Sequence, residues 1–229
     1  MVMELINTIN IEGYEHCGAR LYWMDTRKLE EADCFLEYYD KMSQERRRKI
    51  DACLLMQDKR LSLGAGILMD YGLSFYGLRE KEQTVVFGKN GKPYLSRHPG
   101  LYFNLSYSKD LVIAVFAGVE TGCDIAKVQE ADLALAEKFF TPSEYKYIAG
   151  QPGRELCDQA FYRLWALKES FAKAVGEGMM IPLHLYEISI LADGGVQIAQ
   201  DVDQAVYGFR EFDILGYCAA VCFREKRRQ

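Results

Sequence analysis

The stretch Asp158–Val175, DQAFYRLWALKESFAKAV, decides how this chain is read. At about 100° per residue, Phe161, Leu164, Trp165, Leu167, Phe171, Ala172 and Val175 fall on one broad arc, which predicts a helix packed on a core. Glu169 and Lys173 stand four residues apart on the flank of that arc. Lys168 projects near its middle, where a solvated lysine has no ordinary place. Either its stem snorkels to the rim, or the lysine has a task inside.

With 229 residues, 49% of them hydrophobic, the chain can build one large domain or two small ones, and its composition excludes disorder for most of its length. No apolar run approaches the roughly 18 residues of a membrane span. Met1–Ile11 lacks the basic-then-apolar order of a secretory signal, so a cytoplasmic protein without a membrane partner is expected. Seven scattered cysteines with no Cys-x-x-Cys spacing agree, and most read as small core residues. A net charge of −5 argues against nucleic acid, so any anionic ligand must be met by local clusters.

Outward from the central helix, the first half reads as a small α/β unit. Ala19–Asp25 is a predicted strand and Leu29–Met42 a predicted helix. Ser43 is the expected N-cap of SQERRRKIDACLLM. Arg46, Arg47, Arg48 and Lys49 form a basic turn there, either a solvated face or a phosphate-binding patch. In RLSLGAGILMDYGL, Gly64 and Gly66 imply a close neighbour, and Gly72 is the expected helix end. Asn90-Gly91 marks a turn whose rigid loop presents Lys92 just before Pro93. In Phe103–Ser108, Asn104, Ser106 and Ser108 share one strand face, ready to meet a phosphate or to cap a sheet edge.

Farther on, Leu111–Ala117 and Gly122–Ala126 flank a short connection and read as a β-hairpin. Asp124 is anomalous: a carboxylate in mid-strand between apolar neighbours needs an ion pair, hydrogen bonds or a metal, unless that face is solvated. Thr141-Pro142-Ser143-Glu144 is a capping box with proline at the first helical position, and Glu144 need do nothing more. After Gly176–Pro182 come four short strands. The order of elements in the two halves is similar, as expected of a duplicated unit.

Taken together, Gly91-Lys92-Pro93, Phe103-Asn104-Leu105-Ser106-Tyr107-Ser108, Gly122-Cys123-Asp124-Ile125, Phe139-Phe140-Thr141-Pro142-Ser143-Glu144-Tyr145 and Trp165-Ala166-Leu167-Lys168-Glu169-Ser170 resemble the 4′-phosphopantetheinyl transferases of the surfactin-synthetase type. The motifs keep that family's order and spacing over roughly Arg46–Pro182. The resemblance implies an α+β fold of two similar α/β subdomains, a pseudo-dimer with the active site at their interface. Residues 1–108 would form the coenzyme A 3′-phosphate and adenine side, and residues 109–229 the metal, catalytic and carrier-docking side. The activity implied is transfer of the 4′-phosphopantetheine arm of coenzyme A to a serine of an acyl or peptidyl carrier protein, with Mg²⁺ as cofactor and adenosine 3′,5′-bisphosphate as leaving product.

By the same resemblance, Asp124 and Glu169 are the metal carboxylates and Lys173 contacts the pyrophosphate. Arg46 and Lys49 bind the 3′-phosphate, Lys92 and Pro93 flank the adenine, and Ser106 and Tyr107 touch phosphate. Glu144 and Glu169 are both candidates for activating the carrier serine. Met179, Met180 and Ile181 are candidates for an apolar docking patch or for core packing. Two positions depart from the family pattern. Ala126 stands where many relatives have a third carboxylate, and Tyr107 where many have histidine. Retention of Lys168, Glu169 and Lys173 favours an active, monomeric transferase over a catalytically impaired coenzyme A or carrier-binding protein. An unrelated Mg²⁺ nucleotide hydrolase is the third possibility.

Overall fold

The computed structural model describes residues 5–177 and 181–225. The chain separates into two compact units, Met1–Val86 with Pro93–Gly118, and Phe87–Lys92 with Val119–Gln229.

In the first unit, β1 (Asn7–Asn10), β2 (Arg20–Asp25), β5 (Tyr102–Ser108) and β6 (Leu111–Ala117) form an antiparallel sheet of order β1-β2-β6-β5. Three helices, α1 (Ala32–Tyr39), α2 (Gln44–Ala52) and α3 (Met56–Ser74), lie between β2 and the small β3 (Val85–Phe87) and β4 (Pro93–Leu95) pair. Ser43 caps α2 as expected, its Oγ accepting from the Arg46 N–H at 3.1 Å. The core of this unit gathers Tyr22, Met24, Leu63, Leu68, Leu73 and Phe116.

Two sequence expectations need correction here. Gly72 does not end α3, which runs on to Ser74. A Cβ at Gly72 would lie 2.1 Å from the Phe116 ring, so glycine stands there to let an aromatic ring rest on the helix. Both faces of β5 are covered near its middle, with Phe103, Asn104 and Ser106 buried, while Tyr107 is 62% exposed. Secondly, β6 and the following strand are not a hairpin. Both edges of β6 are already taken, by β2 and β5, so the next strand must pair elsewhere; the compact unit that holds β6 runs on to Gly118.

That next strand, β7 (Thr121–Lys127), is an edge of the second unit's main sheet, order β10-β11-β7, with β10 (Tyr207–Asp213) and β11 (Tyr217–Arg224) antiparallel to their neighbours. Helices α4 (Leu133–Phe139) and α5 (Pro142–Ala149) precede the long α6 (Arg154–Val175), and β8 (Glu187–Ile190) with β9 (Val196–Ala199) form a separate hairpin. The capping box of α5 is complete, with Thr141 and Glu144 each bonding the other's backbone N–H. The periodic stretch is α6, which begins four residues before Asp158 and ends at Gly176 in the left-handed region at φ 88°. Its apolar arc, with Phe161, Leu164, Leu167 and Phe171, closes the unit's core together with Phe140, Tyr186 and Phe209. No helix among the described residues is long and apolar enough to cross a membrane.

Candidate active site

Residues 122, 124 and 126 of β7 share one face by strand alternation, and that face meets α6. The approach is close. A Cβ at Gly122 would fall 2.3 Å from the Ser170 carbonyl oxygen and 2.3 Å from the Ala174 nitrogen, so only glycine lets strand and helix touch there. Two residues along, the buried Asp124 receives the Lys173 ammonium, Nζ to Oδ1 at 2.5 Å. The mid-strand carboxylate is therefore paired, and the pair remains open to solvent on its lysine side, where the side chain keeps 26% of its exposure. Burial alone would lower the Lys173 pKa, but the Asp124 charge, with Cys123 and Glu169 adding to it, leaves it raised.

One helical turn before Lys173 stands Glu169, half-buried. Burial raises its pKa, Lys173 opposes that shift and the Asp124 charge adds to it. Two carboxylates and one ammonium thus act on one another from a strand and a helix. Such a site can hold a hard cation and steady negative charge that builds during a displacement.

Lys168 has its task inside. It is fully buried, and Nζ donates to Glu144 Oε1 at 2.5 Å and to the Tyr186 carbonyl at 2.6 Å. The Tyr186 ring lies 4.4 Å from the ammonium. Burial lowers the Lys168 pKa against the pull of Glu144. Glu144 in turn accepts from the Ile188 N–H at 2.7 Å and the Thr141 N–H at 2.8 Å. This corrects one candidate: a carboxylate 2% exposed, with both oxygens engaged, cannot reach a carrier serine. Glu144 and Lys168 tie α5, α6 and β8 together instead.

Lys92 also differs from expectation. The turn is present, with Gly91 at φ 85°, but the loop does not present the lysine: Lys92 is 6% exposed. Its ammonium donates to the Ala174 carbonyl at the C-terminal end of α6. In the first unit, Arg46 and Lys49 sit one turn apart on α2, each beside a carboxylate: Arg46 Nε is 3.8 Å from Glu80, and Lys49 Nζ is 2.7 Å from Glu45. Burial lowers the Arg46 pKa, and Glu80 and Glu45 oppose it. Ser106 and Tyr107 are adjacent strand residues that point oppositely, Ser106 buried and Tyr107 exposed. Pro93 opens β4.

The family model of the 4′-phosphopantetheinyl transferase superfamily matches residues 120–222, which include β7, α6 and β11. The 4′-phosphopantetheinyl transferase ffp of Bacillus subtilis is 30% identical over 195 residues, 84% of this chain and 85% of its own. This chain belongs to the 4′-phosphopantetheinyl transferase family. A second relative, the 4′-phosphopantetheinyl transferase psf-1 of Bacillus pumilus, is 28% identical over 200 residues, 87% of this chain and 83% of its own. A solved holo-(acyl-carrier-protein) synthase of Bacillus anthracis, in complex with CoA (3′,5′-ADP), matches 47% of this chain and 97% of its own at 19% identity and a TM-score of 0.39.

As a transferase of this family the chain is an enzyme, and the catalytically impaired alternative finds no support among its relatives. Asp124 and Glu169 fit Mg²⁺ in kind, being hard oxygen donors on neighbouring elements. They are two donors and not three: Ala126, buried on the same strand face, offers no oxygen, and no group of three or more metal-capable side chains occurs among the described residues. Of the docking candidates, Met179 and Met180 lie outside the described residues. Ile181 is buried within the second unit's core, so it packs inward and is not offered to a partner.

A groove of about 680 Å³ runs along the N-terminal half of α6 beside β10 and β11, but Asp124, Glu169 and Lys173 do not line it. The chemistry of the site is therefore not assigned to that groove.

Proposed function

We propose that this transferase moves the 4′-phosphopantetheine group of coenzyme A onto a serine of an apo acyl or peptidyl carrier protein, with Mg²⁺, releasing adenosine 3′,5′-bisphosphate. The observation that supports this reading best is the Lys173–Asp124 contact with Glu169 one turn away, inside the residues the family model matches. The serine oxygen forms a bond to the β-phosphorus as the bond to the bisphosphate breaks. Lys173, fixed in charge by Asp124, neutralises the oxygens of the departing group. Asp124 and Glu169 would hold Mg²⁺, which supplies screening of the pyrophosphate charge when bound. With Glu144 enclosed, Glu169 is the remaining candidate of the two for taking the serine proton.

Arg46, Lys49 and Tyr107 carry the nucleotide phosphates in this reading, and Arg46 would exchange Glu80 for the 3′-phosphate. The net charge of −5 supports a protein without a nucleic-acid partner, and we assign it to the cytoplasm as a monomer. Incubation of apo carrier protein with coenzyme A and Mg²⁺, followed by intact-mass measurement, tests the proposal. The carrier should gain the mass of phosphopantetheine, and D124A should not support the gain while remaining folded. Absence of the gain with fatty-acid, polyketide and peptide carriers alike, despite coenzyme A binding, would sink it.

A further inference from the structure

Lys92 follows an Asn-Gly turn, where a lysine is ordinarily solvated, yet it is buried in the second unit. Its ammonium meets the Ala174 carbonyl, one of the last four carbonyls of α6, which have no partner within a helix. A cation at a helix C-terminus also meets the negative end of the helix dipole. A second tie lies beside it: Asn90 Nδ2 donates to Glu177 Oε2 at 2.5 Å, just past the helix end. The turn so held is that of Lys173, the residue before Ala174. On its other side the β7 backbone at Gly122 leaves no space, since a Cβ there would lie 2.7 Å from the Lys173 carbonyl carbon. Lys173 is thus carried on a turn gripped from two directions, by strand backbone and by the Lys92 ammonium.

We infer that Lys92 is a positioning residue of the transfer reaction, clamping the last turn of α6 so that Lys173 stays against Asp124, and that its side chain is not a ligand of coenzyme A. The inference rests on the function proposed above, in which Lys173 meets the pyrophosphate. To reach a ligand the ammonium would have to leave the Ala174 carbonyl and uncover a helix end. Charged groups around it come from the strands as well as the helix: Glu120 ahead of β7 and Arg224 on β11, with the Cys222 thiol beside them. None of these is a coenzyme A candidate.

The test is steady-state transfer by the full chain with coenzyme A, Mg²⁺ and apo carrier protein, comparing the parent with K92M, K173A and K92M/K173A. A positioning role predicts that K92M lowers kcat at least tenfold, leaves KM for coenzyme A within twofold, and costs nothing further once Lys173 is gone. A rise in KM with kcat unaltered, or losses that multiply in the double variant, overturns it. Should K92M fail to fold, K92Q, which keeps a donor and removes the charge, carries the same two readouts. Failure of the parent chain to modify any carrier overturns the proposed function and the positioning role with it. Failure confined to the variants overturns the positioning role alone.

Discussion

Adding one methyl group at Gly122 should displace Lys173 from Asp124. A Cβ there would stand 2.3 Å from two backbone atoms of α6, which have no rotamer to escape into, and ordinary contact begins near 3.4 Å, so strand and helix must part by about 1 Å. Overpacking of this kind costs about 1–3 kcal/mol. Gly122 does not need a left-handed backbone, so alanine also restricts the unfolded chain, a gain of about 0.4–1 kcal/mol. The clash wins. G122A should therefore unfold at lower urea, by about 1–2 kcal/mol. The greater effect falls on turnover. Separation by about 1 Å where Lys173 and Asp124 now meet at 2.5 Å corresponds to a loss on the order of 100-fold in kcat. Urea titration followed by fluorescence, and transfer rates on saturating coenzyme A, read the two quantities separately. A G122A protein with the parent's unfolding midpoint and the parent's kcat would show that close strand–helix contact does not set the lysine.

K168M leaves the Glu144 carboxylate buried without its counter-charge and should destabilise the protein by about 3–5 kcal/mol; K168M/E144Q should recover a good part of this, and equal urea midpoints for the single and double variants would contradict the pairing. Burial holds Lys92 at about 8 against 10.5 in the unfolded chain, so between those values the unfolded state binds the extra proton and stability rises with pH. Tyr186 and Tyr207, raised by burial, act in the opposite sense above pH 10, so the quantity to measure is the parent minus K92M difference at pH 7.5 and 10. That difference should shift in the parent's favour with pH, and a flat one would refute the assignment. A126E restores an oxygen on the face of Asp124 and should lower the Mg²⁺ concentration for half-maximal transfer, an outcome checked by metal titration of the rate.

What could be read from the residues alone was local. The arc of α6 and the Thr141–Glu144 box are patterns spanning one or a few turns, and both appear as expected. Partner choice is non-local, and there the reading failed. β7 follows β6 by four residues but pairs with β11, far along the chain, because β6 has no free edge. Alternation along β5 separates two faces correctly but does not say how far each is covered, and Phe103, Asn104 and Ser106 are all buried. Lys168 announced itself by standing on an apolar arc, yet its partner lies 24 residues earlier, inside a motif already explained as a helix cap. The close approach at Gly122 had a signal too. A glycine two residues before a mid-strand aspartate is on the same face, and an empty Cβ position there marks where something else must sit.

The short tip Phe87–Lys92 belongs by its contacts to the second unit although its flanks belong to the first. No single cut in the gene can therefore yield both halves intact. A fragment starting at Val119 would carry the described main-sheet strands and helices of its unit and still lack the Lys92 ammonium at the end of its longest helix. Six residues of the second unit thus lie within the sequence of the first, so recombination that swaps one half must carry those six residues along.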